Sequence, residues 1–232
     1  MKKIAIFYHV YQIGDWERIY TEQIIRLQQS GLFDTADYIF VGVNGDQPMP
    51  FNLAKINKIH KNTNKDQSTE YVTIKALYDY CSLQDCYAMF FHSKGVTWTD
   101  KNKIEHEKKF ISNIEPVLEN IPKWRDYLEY FVIDKWKDCI QLLDEHDTVG
   151  TEWTVGATLG SDYYDIPHYA GTMWWANSDY IKKLDPNFVT NNMIIGRYAT
   201  ELWIGTKNPK YYNFYNSGKN LYMSPPDLNY RS

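Results

Sequence analysis

Four consecutive residues, His92, Ser93, Lys94 and Gly95, follow directly on the apolar run 87–91. A lysine ammonium supplies a point charge for phosphate, His and Ser supply directional donors, and glycine lets a backbone approach a ligand closely. A buried strand that ends in this tetrapeptide would present these groups to a bound anion. The alternative is an ordinary solvated turn after a strand. The position at a strand end favours the anion site.

Two common phosphate-binding patterns do not fit this region. The spacing G-x-x-x-x-G-K-[ST] of the Walker loop is absent around Lys94. No G-x-G-x-x-G follows the first apolar segment, which ends at Val10. A dinucleotide-binding enzyme, or a methyltransferase with a glycine-rich first turn, is therefore disfavoured.

The first half of the sequence alternates between strand-like and helix-like segments. Short connections between such segments predict a mainly parallel sheet covered by helices, and ligands bind beyond the carboxyl ends of the strands of such sheets. We therefore expect the polar residues that follow the strands to converge on one edge. The predicted strands are 4–10, 38–45, 56–61 and 87–92, and the predicted helices are 15–31 and 68–82, with Ser68 as N-cap.

The second half favours helices and short strands. Two helices, 102–121 and 123–147, are predicted on either side of Pro122. No linker or composition change indicates a domain boundary, so we expect one domain over 1–232. Its halves would be a nucleotide-binding part at about 1–98 and an acceptor-binding part with a C-terminal tail at about 99–232. The remaining predicted elements are a strand at 148–153, a strand and a Ser178-capped helix within 167–184, and a helix at 197–205.

The composition excludes several classes of protein. A net charge of -4 disfavours a nucleic-acid-binding surface, and three cysteines are too few for a disulfide framework. No apolar run approaches the roughly 20 residues that span a bilayer, and the N-terminus reads as a buried strand rather than a signal peptide. We therefore expect a soluble, cytoplasmic protein. Aromatic residues make up 16% of the chain, which suits sugar binding but also fits a simple compositional bias.

Four motifs in order resemble a family of bacterial and viral glycosyltransferase-like proteins that act in surface-polysaccharide or glycan assembly. The motifs are H-[ST]-K-G in "FFHSKG", W-R at 124–125, H-x-x-G-x-x-W-W in "PHYAGTMWWA" and E-x-W-I in "ELWIG". The resemblance spans Tyr87 to Gly205, and a more distant one extends to the chlorovirus capsid glycosyltransferases. It implies a GT-A-like fold and transfer of a sugar from a nucleoside-diphosphate donor, with a UDP-sugar as the first candidate.

The sequence departs from the common GT-A pattern at the end of the central strand. Such enzymes usually carry Asp-x-Asp there to hold a divalent metal, whereas this chain carries His92-Ser93-Lys94. Lys94 and His92 would then neutralise the diphosphate directly, so a reaction that requires no metal is favoured. A Mn²⁺ or Mg²⁺ ion held by other groups is the alternative, with Asp162, Asp165 and His168 as candidate ligands.

On the donor side, residues at the early strand ends are candidates for holding the nucleobase by stacking and hydrogen bonds, and Arg125 is a candidate for clamping phosphate. An exposed basic residue at a helix start is the alternative for Arg125. Tyr8 and His9 point to opposite faces of a strand, so at most one of them is expected in the core. The nucleobase candidates are Tyr8, His9, Tyr11 and Asn44.

On the acceptor side, Gly171 would admit a sugar ring close to the backbone, with His168 beside it. Because neighbouring strand residues face opposite ways, one of Trp174 and Trp175 should be buried and the other should line the cleft.

Glu201 is the first candidate for the base that takes the proton of the acceptor hydroxyl. Arg197 precedes it by four residues on one helix face, so a surface Arg-Glu pair is an equal alternative. A non-catalytic carbohydrate-binding protein and another nucleotide-using transferase of Rossmann type are the rival functions.

Overall fold

The computed structural model describes residues 2–51, 53–56, 58–62, 70–155, 166–192 and 198–231, with only the backbone at 58–62 and at 228. The helices are α1 Trp16–Gln29, α2 Leu32–Thr35, α3 Tyr71–Leu83, α4 Lys101–Glu107, α5 Glu115–Glu129, α6 Trp136–Leu142, α7 Ser178–Ile181, α8 Phe188–Asn191 and α9 Tyr198–Trp203. The strands are β1 Lys3–Tyr11, β2 Tyr38–Asn44, β3 Lys58–Asn62, β4 Cys86–His92, β5 Thr148–Gly150, β6 Trp153–Thr154, β7 His168–Tyr169, β8 Trp174–Asn177 and β9 Tyr211–Asn213.

A seven-stranded sheet in the order β3-β2-β1-β4-β8-β5-β9 joins both halves of the chain. The first four strands of this order are parallel to one another, whereas β8 runs antiparallel to both of its neighbours, β4 and β5. The prediction of a mixed α/β fold with a mostly parallel central sheet is confirmed. The strands β6 and β7 form a separate antiparallel pair.

Side chains of the central strands alternate between two hydrophobic cores, one on each face of the sheet. Ile6 of β1 and Phe91 of β4 belong to the core that α1, α5 and α6 cover. Phe7 and Phe90 belong to the core that α3, α7 and α9 cover. Burying both faces explains why these strands are apolar runs rather than alternating polar and apolar residues.

The α5 helix differs from the prediction, because Pro122 lies inside it instead of separating two helices. A proline in a helix removes one backbone hydrogen bond. The buried face of α5, which includes Val117, Ile121, Trp124 and Leu128, offsets this loss by packing against the sheet. The chain then continues through one π-helical turn, Tyr130–Asp134, into α6.

The start of the α7 helix also differs from the prediction. The N-cap is Asn177, whose side chain accepts a hydrogen bond from the Asp179 amide, and Ser178 is the first helical residue. The Ser178 hydroxyl instead accepts a hydrogen bond from the Cys86 amide at the start of β4. The predicted cap at Ser68 lies outside the described residues.

Within the part of the chain that the structure describes, the helices are too short or too polar to cross a membrane.

Candidate active-site cleft

A cleft of about 760 Å³ lies at the carboxyl ends of β1 and β4. His9 and His92 are register partners on these two adjacent parallel strands, so their side chains reach the same edge of the sheet. The cleft is lined by His9, Tyr11, Ile13, Glu70, His92, Ser93, Lys94, Gly95, Val96, Thr97, Trp98, Lys103, Glu107, Ile111, Val117, Ile121, Tyr198, Glu201, Tyr222 and Met223. The tetrapeptide that ends β4 thus lies in a cleft, as the sequence predicts.

Backbone hydrogen bonds hold the turn after β4. The Ser93 amide donates to the His9 carbonyl at 2.9 Å, and the Ser93 hydroxyl accepts from the Tyr11 amide at 3.1 Å. Gly95 has a φ of 83° and precedes the 3-10 turn Val96–Thr99. A Cβ atom at Gly95 would overlap the side chain of Ile121, so both the backbone conformation and the available space require glycine.

Lys94 is buried, and its ammonium lies over an aromatic ring. The Nζ atom is 3.5 Å from the ring centroid of Trp124 and 5.9 Å from that of Tyr222. Gly171 lies beside the lysine stem, because a Cβ atom there would come 3.5 Å from Lys94 Cε. The attraction between a cation and a ring face therefore fixes this ammonium at the cleft wall.

Two histidines and one carboxylate cluster on the other side of the strand ends. His92 Nε2 is 2.9 Å from the Gly171 carbonyl oxygen, and His92 Nδ1 is 3.5 Å from Glu70 Oε1. The Thr200 hydroxyl donates to Glu70 Oε2 at 2.8 Å, which connects α9 to the start of α3. Because a carbonyl and a carboxylate face the two ring nitrogens of His92, a doubly protonated ring satisfies both contacts.

The pKa values in this cluster shift in response to burial and to neighbouring charges. Burial lowers the pKa of His9 to about 4, although Glu70 opposes this shift. Burial alone would raise the pKa of Glu70, but His92, His9 and the Thr200 hydroxyl together hold that pKa below its usual value. The cluster thus favours a neutral His9 and an ionised Glu70.

The structure places α9 so that Glu201 and Tyr198 line the same cleft. Thr200, which precedes Glu201, donates a hydrogen bond to Glu70. Trp203, two residues after Glu201, packs in the core. One short helix therefore contributes a carboxylate to the cleft, a hydrogen bond to the histidine cluster and an anchor in the core.

Residues 7–209 match the model of a family described as a domain of unknown function, DUF8361. The chain belongs to the DUF8361 family. The match includes the strand ends at His9 and His92 and the helix that carries Glu201, whereas Tyr222 and Met223 lie beyond it.

A search of curated proteins finds no match. Among solved structures, the chain is similar to the bifunctional IspDF from Campylobacter jejuni, with 9% identity, a TM-score of 0.43 and 99% of this chain covered. The DUF8361 chain spans only 54% of the length of that protein. Similarity of this degree does not distinguish one activity from another.

The structure brings some predicted donor-side residues together and separates others. Tyr11 lines the cleft with His9, His92, Ser93, Lys94 and Gly95. Tyr8 is fully buried, where its ring stacks on Phe91 and its hydroxyl donates to Gln23 Oε1. Tyr8 and His9 are both buried, although only His9 lines the cleft, so the expectation that at most one of them is core is not met. Nucleobase contact by Tyr8 is wrong, because its side chain is enclosed in the core. Asn44 is buried at the end of β2 and is not part of the cleft wall.

Arg125 lies away from the cleft that contains Lys94. Its Nη2 atom is 2.9 Å from Glu22 Oε2 and its Nε atom is 3.6 Å from Glu129 Oε1. Arg125 therefore lines a different cavity, between α1, α5 and the C-terminal segment, in which acidic side chains surround it. The prediction that Arg125 clamps the phosphate bound by Lys94 is therefore wrong.

The expectation for the two tryptophans is also wrong, because both Trp174 and Trp175 are fully buried. They do face opposite sides of the sheet, but each side is covered by helices. The Trp175 indole N–H donates to the Val132 carbonyl at 2.8 Å. Neither indole can stack on a sugar in the cleft.

The remaining acceptor-side predictions have mixed outcomes. His168 is buried, with Nδ1 3.3 Å from the Ile166 carbonyl, and is not part of the cleft wall. Gly171 has a φ of 98° and contacts the cleft residues His92 and Lys94 through its carbonyl and its Cα side. Arg197, Asp162 and Asp165 lie outside the described residues.

The cleft also contains residues that the sequence analysis does not identify, among them Glu70, Trp98 and Tyr222. Glu70 immediately precedes α3, the helix that follows β3, so the rule that ligands bind where strands end could have indicated it. Trp98 lies four residues after Lys94, in the turn that follows β4, so the same rule could have indicated it. Tyr222 comes from the tail, and no local pattern connects it to the cleft.

No group of three or more His, Cys, Asp or Glu side chains is placed to hold a metal ion among the residues that the structure describes.

Proposed function

We propose that the chain is a glycosyltransferase of GT-A-like fold, which moves a sugar from a nucleoside-diphosphate donor to a hydroxyl acceptor. A UDP-sugar is the first donor to test. The observation that carries the proposal is the shared cleft: the ammonium of Lys94 and the carboxylate of Glu201 line one cavity at the carboxyl ends of parallel strands. A mostly parallel sheet flanked by helices agrees with the fold.

In this proposal the β4 end binds the departing diphosphate. The leaving group gains negative charge as the bond to the sugar breaks, and groups that are already oriented towards that charge stabilise the transition state. Lys94 would supply the ammonium, held in place by the ring of Trp124. His92 would supply a second positive group, held between Gly171 and Glu70.

Glu201 would act as the base. It takes the proton of the acceptor hydroxyl while the acceptor oxygen forms a bond to the anomeric carbon of the donor sugar. The bond between that carbon and the diphosphate oxygen breaks, and the nucleoside diphosphate leaves with the bonding electrons. Glu70 is the other carboxylate in this part of the cleft, but its contacts with Thr200 and His92 suit it to orienting the histidine.

The donor set at the β4 end does not match a metal-bound diphosphate. Divalent Mg²⁺ and Mn²⁺ prefer oxygen ligands such as paired carboxylates. Here an ammonium and an imidazole stand in that place, and the ammonium would repel a divalent ion. The proposed mechanism therefore requires no metal ion. The rate of donor hydrolysis should be the same with EDTA and with manganese.

Nucleotide binding tests the proposal. UDP, GDP and CMP are compared by thermal shift and calorimetry, and UDP should raise the melting temperature. Lys94→Ala should weaken UDP binding at least ten-fold. Lys75→Ala is the matched control, because Lys75 pairs with Asp79 on the exposed side of α3 and should leave the affinity within two-fold.

Two results would contradict the proposal. If Lys94→Ala binds UDP as tightly as the unchanged chain, the diphosphate does not bind at the β4 end. If free sugars bind but no nucleotide does, the chain is a carbohydrate-binding protein without transferase activity.

A further inference from the structure

The cleft has two chemically different ends. His9, Glu70 and His92 cluster at the polar end, and Glu201, which also lines the cleft, follows Thr200, whose hydroxyl donates to Glu70. The apolar end is formed by aromatic and aliphatic side chains from the turn after β4, from the α4–α5 region and from the tail: Trp98, Ile111, Val117, Ile121, Tyr222 and Met223. Lys94 lies between the two, since it follows His92 in the chain while its ammonium contacts the rings of Trp124 and Tyr222.

Two aromatic rings, those of Trp98 and Tyr222, line the apolar end, and the buried Trp124 lies behind them. The ring centroids of Trp98 and Tyr222 are 6.2 Å apart with an angle of 60° between the planes. Trp124 meets Tyr222 edge to face at 4.9 Å and 81°. Tyr222 is thus fixed from two sides, and its backbone carbonyl accepts a hydrogen bond from Asn120 at 3.4 Å. Contacts with Trp98, Trp124 and Asn120 therefore hold Tyr222 in place at the cleft.

The apolar end leaves hydrophobic surface uncovered. Met223 is 47% exposed, and Trp98 and Tyr222 are only half-buried although they face a core formed by Val117 and Ile121. Covering such surface favours binding, because apolar area is removed from water. The polar side chains at this end, Lys103 and Glu107, form an ion pair of 2.6 Å with each other. The chemistry therefore suits a hydrocarbon or aromatic group better than a hydroxyl-rich sugar.

We propose that the apolar end binds an alkyl or aryl group attached to the acceptor sugar. The inference rests on the proposed transferase function, because that function places the donor diphosphate at Lys94 and the attacking hydroxyl near Glu201. An acceptor whose sugar lies at the polar end would extend its aglycone past Lys94 between Trp98 and Tyr222. The substrate class is thus a glycoside with an apolar aglycone rather than a free sugar.

Binding of matched glycosides tests this substrate class. Methyl, 4-nitrophenyl and octyl β-glucosides share one sugar and differ only in aglycone, and each is titrated by calorimetry, with the octyl compound kept below its micelle concentration. The aryl and octyl glucosides should bind at least ten-fold more tightly than methyl glucoside. Trp98→Ala and Tyr222→Ala should remove most of this difference.

Two further variants separate ring contact from damage to the fold. Trp98→Phe retains an aromatic ring and should keep most of the preference for the octyl compound. Phe110→Ala removes an aromatic side chain that is 74% exposed and lies outside the cleft wall, so it should change nothing. Equal binding of all three glucosides, or octyl binding that survives Trp98→Ala, would overturn the inference.

A competition with UDP separates this inference from the proposed function. Octyl glucoside and UDP should bind together, because direct transfer requires the acceptor and the nucleotide to occupy the cleft at the same time. If UDP displaces octyl glucoside, the two ligands share one site and the aglycone site is wrong. If octyl glucoside binds at Trp98 and UDP does not bind at all, the aglycone site stands and the transferase proposal fails.

Discussion

Residues at the ends of the parallel strands β1 and β4 have different surroundings from residues of the antiparallel strand β8. The parallel strands end at the cleft, so His9 and His92 lie at its edge. β8 runs the other way between β4 and β5, and Trp174 and Trp175 pair with Phe90 and Met89 within the sheet. The motif H-x-x-G-x-x-W-W therefore contributes to the cleft only through Gly171, which precedes β8 and meets the β4 end.

This contrast shows that strand direction decides which part of a motif reaches a ligand. The carboxyl end of a parallel strand and the amino end of an antiparallel neighbour meet at the same edge. Gly171, which precedes β8, therefore meets His92 at the end of β4, whereas residues within β8 stabilise the fold. Substitutions in the two regions should affect different measurements.

The largest effect on stability is expected for Trp175→Ala. The substitution removes a fully buried indole and its hydrogen bond to the Val132 carbonyl, which should lower the free energy of unfolding by about 3–5 kcal/mol. Urea unfolding followed by circular dichroism measures this loss. The exposed Phe110→Ala is the control and should cost less than about 0.5 kcal/mol. A Trp175→Ala chain as stable as the original would show that β8 is not central to the core.

Glu201→Gln tests whether a cleft residue affects the reaction without affecting the stability of the fold. The amide keeps the shape of the side chain but cannot accept the acceptor proton, so the transfer rate should fall by about 10²–10⁴-fold. The free energy of unfolding and the affinity for UDP should stay close to their original values. The measurement is single-turnover transfer with saturating donor. Full transfer by Glu201→Gln would require another base, and Glu70→Gln is then the next variant to measure.

The parts of the molecule that the sequence predicts are those with a local signal. The strand 87–92 and the tetrapeptide after it are visible as an apolar run followed by polar residues, and both are observed. The burial of Trp174 and Trp175 depends on the insertion of β8 between β4 and β5, which are far apart in sequence. Tyr222 reaches the cleft through tail packing against α5, a contact that no local pattern encodes.

Acid should destabilise the fold through His9. Its pKa is lowered by burial to about 4 from an ordinary 6.5, so between these values the unfolded chain binds more protons than the folded chain. This contribution to the free energy of unfolding is fully present above pH 6.5 and is lost as the pH falls through 4, by roughly 3 kcal/mol in total. His9→Gln keeps a partner for the Thr73 hydroxyl and should flatten this part of the profile.

Urea unfolding at a series of pH values measures the slope. The groups that face His9 include Glu70 and His92. The pKa of Glu70 is lowered, so the contribution of Glu70 to the free energy of unfolding is lost only as the pH falls below 4.5, the ordinary pKa of a glutamate. Glu70→Gln is the matched variant, since it should change the profile mainly below 4.5. An unchanged slope between pH 6.5 and 4.5 in His9→Gln would show that His9 does not cause the acid sensitivity.

The smallest effect on the cleft is expected for Arg125→Gln. Its guanidinium contacts Glu22 and Glu129 in the other cavity, so the affinity for UDP should change less than two-fold. The free energy of unfolding should fall by about 1 kcal/mol, because Glu129 is buried but retains contacts with Arg26 and Gln23. Calorimetry with UDP and urea unfolding on one preparation measure both quantities. A ten-fold loss of UDP affinity at unchanged stability would return Arg125 to the phosphate site and would contradict the separation of the two cavities.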